Sequence, residues 1–236
     1  MRSTRPFAIA ALAVILILGF GVFSLVSSCN RKAEEQRTAE QAAAEQARIE
    51  AQRVDPQKLG ITAASSSTPR SAWRQGVMPH LYQTDPLWAD KPYAGGTVRK
   101  NACGPTALTM IYVYLTGKTD YDPGSMAAFS DAHNYAPTGA TEWAFMTEGA
   151  AMLGLQSWSI PLHRDSIQSA LFAGQPLIFS VNPGDFTNIG HYIVVKSIDD
   201  RGMAEVFDPN SPANSARRWP IQRVINQAGN CWAFTL

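Results

Sequence analysis

The chain has 236 residues, with 20 Lys and Arg against 19 Asp and Glu, and a formal net charge of +1. So even a balance, with basic pairs after residue 75 only at Arg99–Lys100 and Arg217–Arg218, lacks the basic stripe that nucleic-acid binding requires. Cys29, Cys103 and Cys231 stand in unrelated contexts and form no disulfide framework, and four histidines without HxH or HExxH spacing argue against a zinc site.

Residues 1–6 carry Arg2 and Arg5, and the run Phe7–Val26 that follows is apolar or small with no acidic interruption. About 20 apolar residues cross a bilayer's hydrocarbon core as a helix. Basic residues ahead of such a run keep the first residues cytoplasmic and place the rest of the chain outside. Val26-Ser27-Ser28-Cys29 resembles the lipobox of bacterial lipoproteins, in which cleavage before the Cys leaves it lipidated. Two readings of residues 7–28 therefore stand: a transmembrane anchor, or a lipoprotein signal with Cys29 as the lipidated residue. Both attach the protein to a bacterial cell membrane with its domain extracytoplasmic.

Residues 29–55 are rich in Ala, Glu, Gln and Arg, all but free of Gly, Pro and large apolar side chains. They favour a helix, with support from Glu45–Arg48 and Glu50–Arg53, but offer no apolar seam for a coiled coil. A polar helical stalk is expected, stopped by Pro56. The Ala/Ser/Thr/Pro-rich composition of 56–75 predicts a flexible linker. Residues 76–236 are left as the folded domain.

Within the domain, helices are expected over Pro105–Leu115, Ala140–Leu153 and Asp165–Ala173, the first and last closed by Gly117 and Gly174. Leu177–Val181, Tyr192–Ile198, Met203–Phe207 and Cys231–Leu236 read as strands. Helices first and antiparallel-type strands afterwards, with a tight Asp199-Asp200-Arg201-Gly202 turn, predict an α+β fold rather than alternating βαβ units.

Cys103 stands at the entrance to the first of these helices, followed by Gly104 and Pro105. Proline suits a first helical turn, and a thiol there feels the positive end of the helix dipole, which favours the thiolate. A lone cysteine is commonly just a buried core residue, so the motif needs partners. His191 follows Gly190 and opens the buried-looking strand Tyr192–Ile198, whereas His80, His133 and His163 adjoin no such strand. Asp208 ends the strand Met203–Phe207 and precedes Pro209. If the two strands pair as a hairpin, His191 and Asp208 share its open end, where the carboxylate can fix the imidazole tautomer.

The ordered set Tyr82-Gln83-Thr84-Asp85-Pro86-Leu87-Trp88, Cys103-Gly104-Pro105-Thr106, Gly190-His191-Tyr192 and Asp208-Pro209 resembles the bacterial cysteine peptidases of the bacteriocin-processing type. It resembles more closely their stand-alone peptidase C thirty-nine-like relatives, over roughly residues 80–236. The resemblance implies a papain-like fold with helices packed on an antiparallel sheet. It implies Cys103 as nucleophile, His191 as base, Asp208 as the orienting group and no cofactor. Gln83 is the candidate oxyanion donor, although it lies further upstream than in the better-known arrangement, where Thr97 stands here. Tyr82, Trp88, Tyr93, Trp143, Trp158 and Phe186 are candidate cleft residues. The expected function is thiol-dependent hydrolysis of a peptide or amide bond at the outer face of the membrane, on a peptide or peptidoglycan-derived substrate. A peptidoglycan amidase or endopeptidase, and a non-catalytic surface binding module with a papain-like shell, are the alternatives.

Overall fold

The computed structural model describes residues 65–236 together with Lys32, Glu34, Gln36, Arg37, Glu40 and Gln41. Those six positions are helical and exposed, within the segment expected to form a stalk. The apolar stretch 7–28 and Cys29 lie outside the described residues, among which no helix is long and apolar enough to cross a membrane. The chain divides between Arg53 and Val54, and everything below belongs to the second unit.

A two-stranded hairpin, β1 (Pro92–Tyr93) and β2 (Gly96–Thr97), leads into a single helical turn α1 (Val98–Asn101). The long helix α2 (Cys103–Thr116) follows, and then α3 (Pro123–Ala132). A 3-10 turn (Trp143–Met146) and α4 (Glu148–Met152) connect to β3 (Gln156–Ser159), α5 (Arg164–Phe172) and β4 (Leu177–Val181). The second half holds β5 (His191–Ile198), β6 (Met203–Phe207), α6 (Pro212–Ser215), β7 (Arg218–Pro220), α7 (Ile221–Ile225) and β8 (Ala228–Thr235). Strands β3 to β8 form one antiparallel sheet in the order β3-β8-β4-β5-β6-β7.

Alternation along the central strands sends neighbouring side chains into two different cores. Ile178, Tyr192, Val194 and Trp232 face the cluster built by Leu108, Met110 and Ile111 of α2. Phe179, Ile193, Val195 and Cys231 face the opposite cluster with Ile167 and Leu171 of α5, Trp219 and Val224. Both faces are covered, which is why β4, apart from Ser180, and Tyr192–Val195 of β5 read as apolar runs. The result is the α+β fold that the order of elements predicts, in the papain-like arrangement that the resemblance implies.

The structure departs from expectation in three places. Ala140–Leu153 is not one helix: the 3-10 turn ends at Thr147 (φ −115°, ψ −69°), and Gly149 of α4 lies against the Phe145 ring so closely that a Cβ there would clash. Helix α3 went unanticipated although its start is marked by a capping box between Asp122 and Ser125 with Pro123 in the first turn. The last part of the expected linker, 65–75, is strapped onto the domain. Ser67 N–H donates to Asp85 Oδ2 (2.7 Å), Thr68 N–H to the His80 carbonyl (2.8 Å), and the buried Trp73 donates from Nε1 to the Thr68 carbonyl (2.8 Å).

Candidate active site

Helix α2 begins at Cys103, so the thiol sits where the first backbone N–H groups have no partner within the helix. The helix runs to Thr116 and is closed by Gly117, whose φ of 70° is the left-handed cap and whose N–H donates to the Val113 carbonyl. Next to the thiol, Gly104 leaves no room for a side chain. A Cβ there would lie 2.7 Å from Thr141 Cγ2 and 2.8 Å from its Cβ and Oγ1. Thr141 in turn is fastened by two tyrosines, its Oγ1 at 2.8 Å from Tyr93 Oη and its carbonyl accepting from Tyr192 Oη at 2.9 Å.

His191 opens β5, paired with Val181, and Asp208 directly follows β6. The β5–β6 hairpin pairs Val194 with Phe207, and its register shifts between Val195 and Ser197. This brings the two side chains together at the open end, His191 Nε2 donating to Asp208 Oδ1 at 2.8 Å, both buried. With Nε2 so engaged, Nδ1 is the nitrogen left to face Cys103, and the imidazole lies close enough to the thiol to lower it. Asp208 is held on every side: Oδ1 also accepts from Asn210 N–H (2.8 Å), Oδ2 accepts from Asn214 Nδ2 (2.8 Å), and its own N–H donates to Ser215 Oγ (2.9 Å).

Electrostatics favours a charge-separated pair. Burial pushes the Cys103 thiol up, but the hydrogen bond and charge of His191, with backbone N–H groups of Tyr192 and Gly104, bring it below its ordinary value. Burial would likewise depress the imidazole. The Asp208 carboxylate outweighs it, with help from Cys103, and raises His191 to about 10. Thiolate and imidazolium therefore stabilise each other. Cys231 is the contrast: also free, but buried in the second core, where desolvation alone raises its thiol.

Gln83 is buried, 3 % exposed, between the two halves of this site. Its backbone N–H donates to the Pro209 carbonyl (2.8 Å), beside Asp208, and its Nε2 donates to the carbonyl of Arg99 (2.6 Å), just ahead of α2. Its Oε1 is buried without a partner. Of the aromatic candidates, Tyr82, Trp88 and Tyr93 are buried, while Trp143 remains half-exposed and Trp158 lies on the edge strand β3. Phe186 is no cleft residue: it is buried against Trp219 (centroids 4.5 Å apart), in a loop held by the Asp185–Arg223 ion pair. Sequence reasoning missed Asn214 and Thr141, each a single loop side chain with no local pattern to mark it. A cavity of about 270 Å³ between residues 67–70, Trp73, Leu87, Trp88 and Asp122 includes Trp88 but none of Cys103, His191, Asp208 and Gln83 in its lining. Among the described residues no three His, Cys, Asp or Glu converge as metal ligands.

An α+β fold of papain-like arrangement, with a free cysteine opening its long helix, defines the general class. The model of the Peptidase C39 like family matches residues 78–235, and the chain belongs to that family. Among solved structures the chain is similar to the peptidase domain of Streptococcus ComA, described as a bi-functional ABC transporter involved in a quorum-sensing pathway. That match has 20% identity over 57% of this chain and 89% of the other, with a TM-score of 0.44. No curated protein matches.

Proposed function

We propose that the domain hydrolyses a peptide or amide bond through a Cys103 thiolate, at the outer face of the membrane to which residues 7–28 or a lipidated Cys29 attach it. The observation that carries this reading is the buried imidazole of His191, held by the Asp208 carboxylate at 2.8 Å and close enough to the thiol at the start of α2 to lower it. Membership of a peptidase-like family agrees with it.

The chemistry follows from the protonation states. The Cys103 thiolate adds to the substrate carbonyl carbon, and the imidazolium of His191 gives its proton to the leaving amine as the C–N bond breaks. A thioester remains. His191, now neutral, takes a proton from water, whose oxygen attacks the thioester and releases the acid and the thiolate. Asp208 keeps the imidazole in the tautomer with Nε2 protonated and balances its charge during both steps. The oxyanion is met by the Cys103 N–H at the helix start and by the second N–H of Gln83 Nε2, the first being committed to Arg99.

The full-length chain in detergent, incubated with a panel of peptides and muropeptides and analysed by mass spectrometry, tests this. Cleavage that falls roughly a thousandfold or more in both Cys103→Ala and His191→Ala supports the reading. Cleavage that survives Cys103→Ala, or none by the wild type across the panel, contradicts it, and the second result favours a binding module. Cleavage confined to muropeptides assigns the peptidoglycan alternative.

A further inference from the structure

The segment Thr141-Glu142-Trp143 is tied to the reactive centre from two directions. Thr141 packs on Gly104, the neighbour of Cys103, and accepts from Tyr192 Oη, the neighbour of His191. Trp143 meets Trp232 edge to face (5.8 Å), and Trp232 lies 6.2 Å from Tyr192. An aromatic strip thus runs from the surface to the residue beside the imidazole. Trp143 is 51% exposed although Phe145 and Met146, in the same 3-10 turn, are fully buried. Its indole is therefore an open surface on a firmly anchored turn.

Glu142 is exposed beside it, its backbone N–H fixed to the Tyr135 carbonyl at 2.8 Å. Its carboxylate has no ion-pair partner among the described residues. It nevertheless lies close enough to raise the Tyr192 phenol, after burial and the charges of Cys103 and Tyr93. An exposed indole, linked through Trp232 to the neighbour of His191, and an uncommitted carboxylate are therefore adjacent in a segment that packs on the neighbour of Cys103. An indole face attracts a cation and covers an aliphatic stem, and the carboxylate completes the match for an ammonium or guanidinium head.

We propose that Glu142 and Trp143 form a subsite for a cationic side chain, lysine or arginine, close to the bond being cleaved. This rests on the hydrolase reading and adds a substrate class to it: a basic residue next to the scissile amide. An acidic side chain at that place meets repulsion, and an uncharged apolar one uses only the indole.

The test uses the full-length chain and peptidyl acyloxymethyl ketones that differ only in the side chain beside the ketone: Lys, Arg, Leu or Glu. The thiolate forms a C–S bond as the carboxylate leaves, and intact mass gives the rate at Cys103. Iodoacetamide, which carries no side chain, is run in parallel. The expected order is Lys and Arg about tenfold faster than Leu, with Glu slowest. The Lys-to-Leu ratio, taken within each variant so that any change in thiol reactivity cancels, falls to within about threefold of unity in Glu142→Gln and drops in Trp143→Ala. A preference for Leu, or a Lys preference that both variants keep, overturns the subsite while rapid iodoacetamide labelling leaves the hydrolase reading standing. Slow labelling by iodoacetamide that ignores loss of His191 overturns both.

Discussion

Asp208 shows how much one side chain organises at this site. Its carboxylate accepts from His191, Asn210 and Asn214 while its own amide donates to Ser215, so neither oxygen is left bare in a buried place. Asn214→Ala removes one of those donors. The orphaned oxygen costs about 1–3 kcal/mol, which a lower urea midpoint reports. An unchanged midpoint would mean that water replaces the amide. Asp208→Asn keeps the shape but removes the charge that raises His191, so the imidazolium weakens and the thiol loses its stabilising neighbour. Alkylation of Cys103, which needs the thiolate, should then rise at higher pH than in the wild type. Gly104→Ala places a methyl within 2.8 Å of three Thr141 atoms and should cost about 1–3 kcal/mol in thermal or urea unfolding, with Thr141 displaced from beside the thiol.

At the scale of elements, what the sequence revealed follows from where burial is two-sided. Strands β4 and β6 match the segments expected, and β5 gains only His191 at its start, because they are apolar runs bounded by turn residues. The hairpin they form supplied the reason to pair His191 with Asp208. Edge strand β3 carries Gln156, Ser157, Trp158 and Ser159, mostly exposed, and leaves no periodic trace. The strap 65–75 was illegible for a different reason. Ser, Thr and Pro are linker composition, and here the hydrogen bonds that order them reach residues 12 to 18 positions away. Its contribution is measurable: a chain beginning at residue 76 should be less stable than one beginning at 65. Most of the difference should be reproduced by Trp73→Ala, about 3–5 kcal/mol by urea unfolding. Equal midpoints would show that the strap merely lies on the surface.

Across the whole molecule the site is assembled from distant parts of the chain. Cys103 comes from the start of α2, His191 from the start of β5, and Asp208 from just beyond β6. The sequence named these three because each carries a local mark: a thiol ahead of a prolyl first turn, a histidine at the mouth of an apolar strand, an Asp-Pro turn. It did not name Thr141 or Asn214, whose importance arises only when loops are brought beside Gly104 and Asp208. Gln83 falls between: its type and order in the chain suggested a role, and the fold sets it between Arg99 and Pro209. Attachment through residues 7–28 or Cys29 is a separate proposal. Membrane fractionation of the full chain, with intact mass at Cys29, distinguishes an acylated mature form from an uncleaved anchor.

The measurement closest to the central claim is alkylation of Cys103 by iodoacetamide, followed by intact mass from pH 5 to 9, in the wild type, His191→Ala and Cys103→Ala. A thiol lowered by His191 is already a thiolate below the ~8.5 of a free cysteine. The wild type should therefore label at lower pH than a free thiol does, His191→Ala should label only at higher pH, and Cys103→Ala should lose the reactive site. Wild-type labelling that rises only at ordinary thiol pH, and is indifferent to His191, would contradict an activated nucleophile.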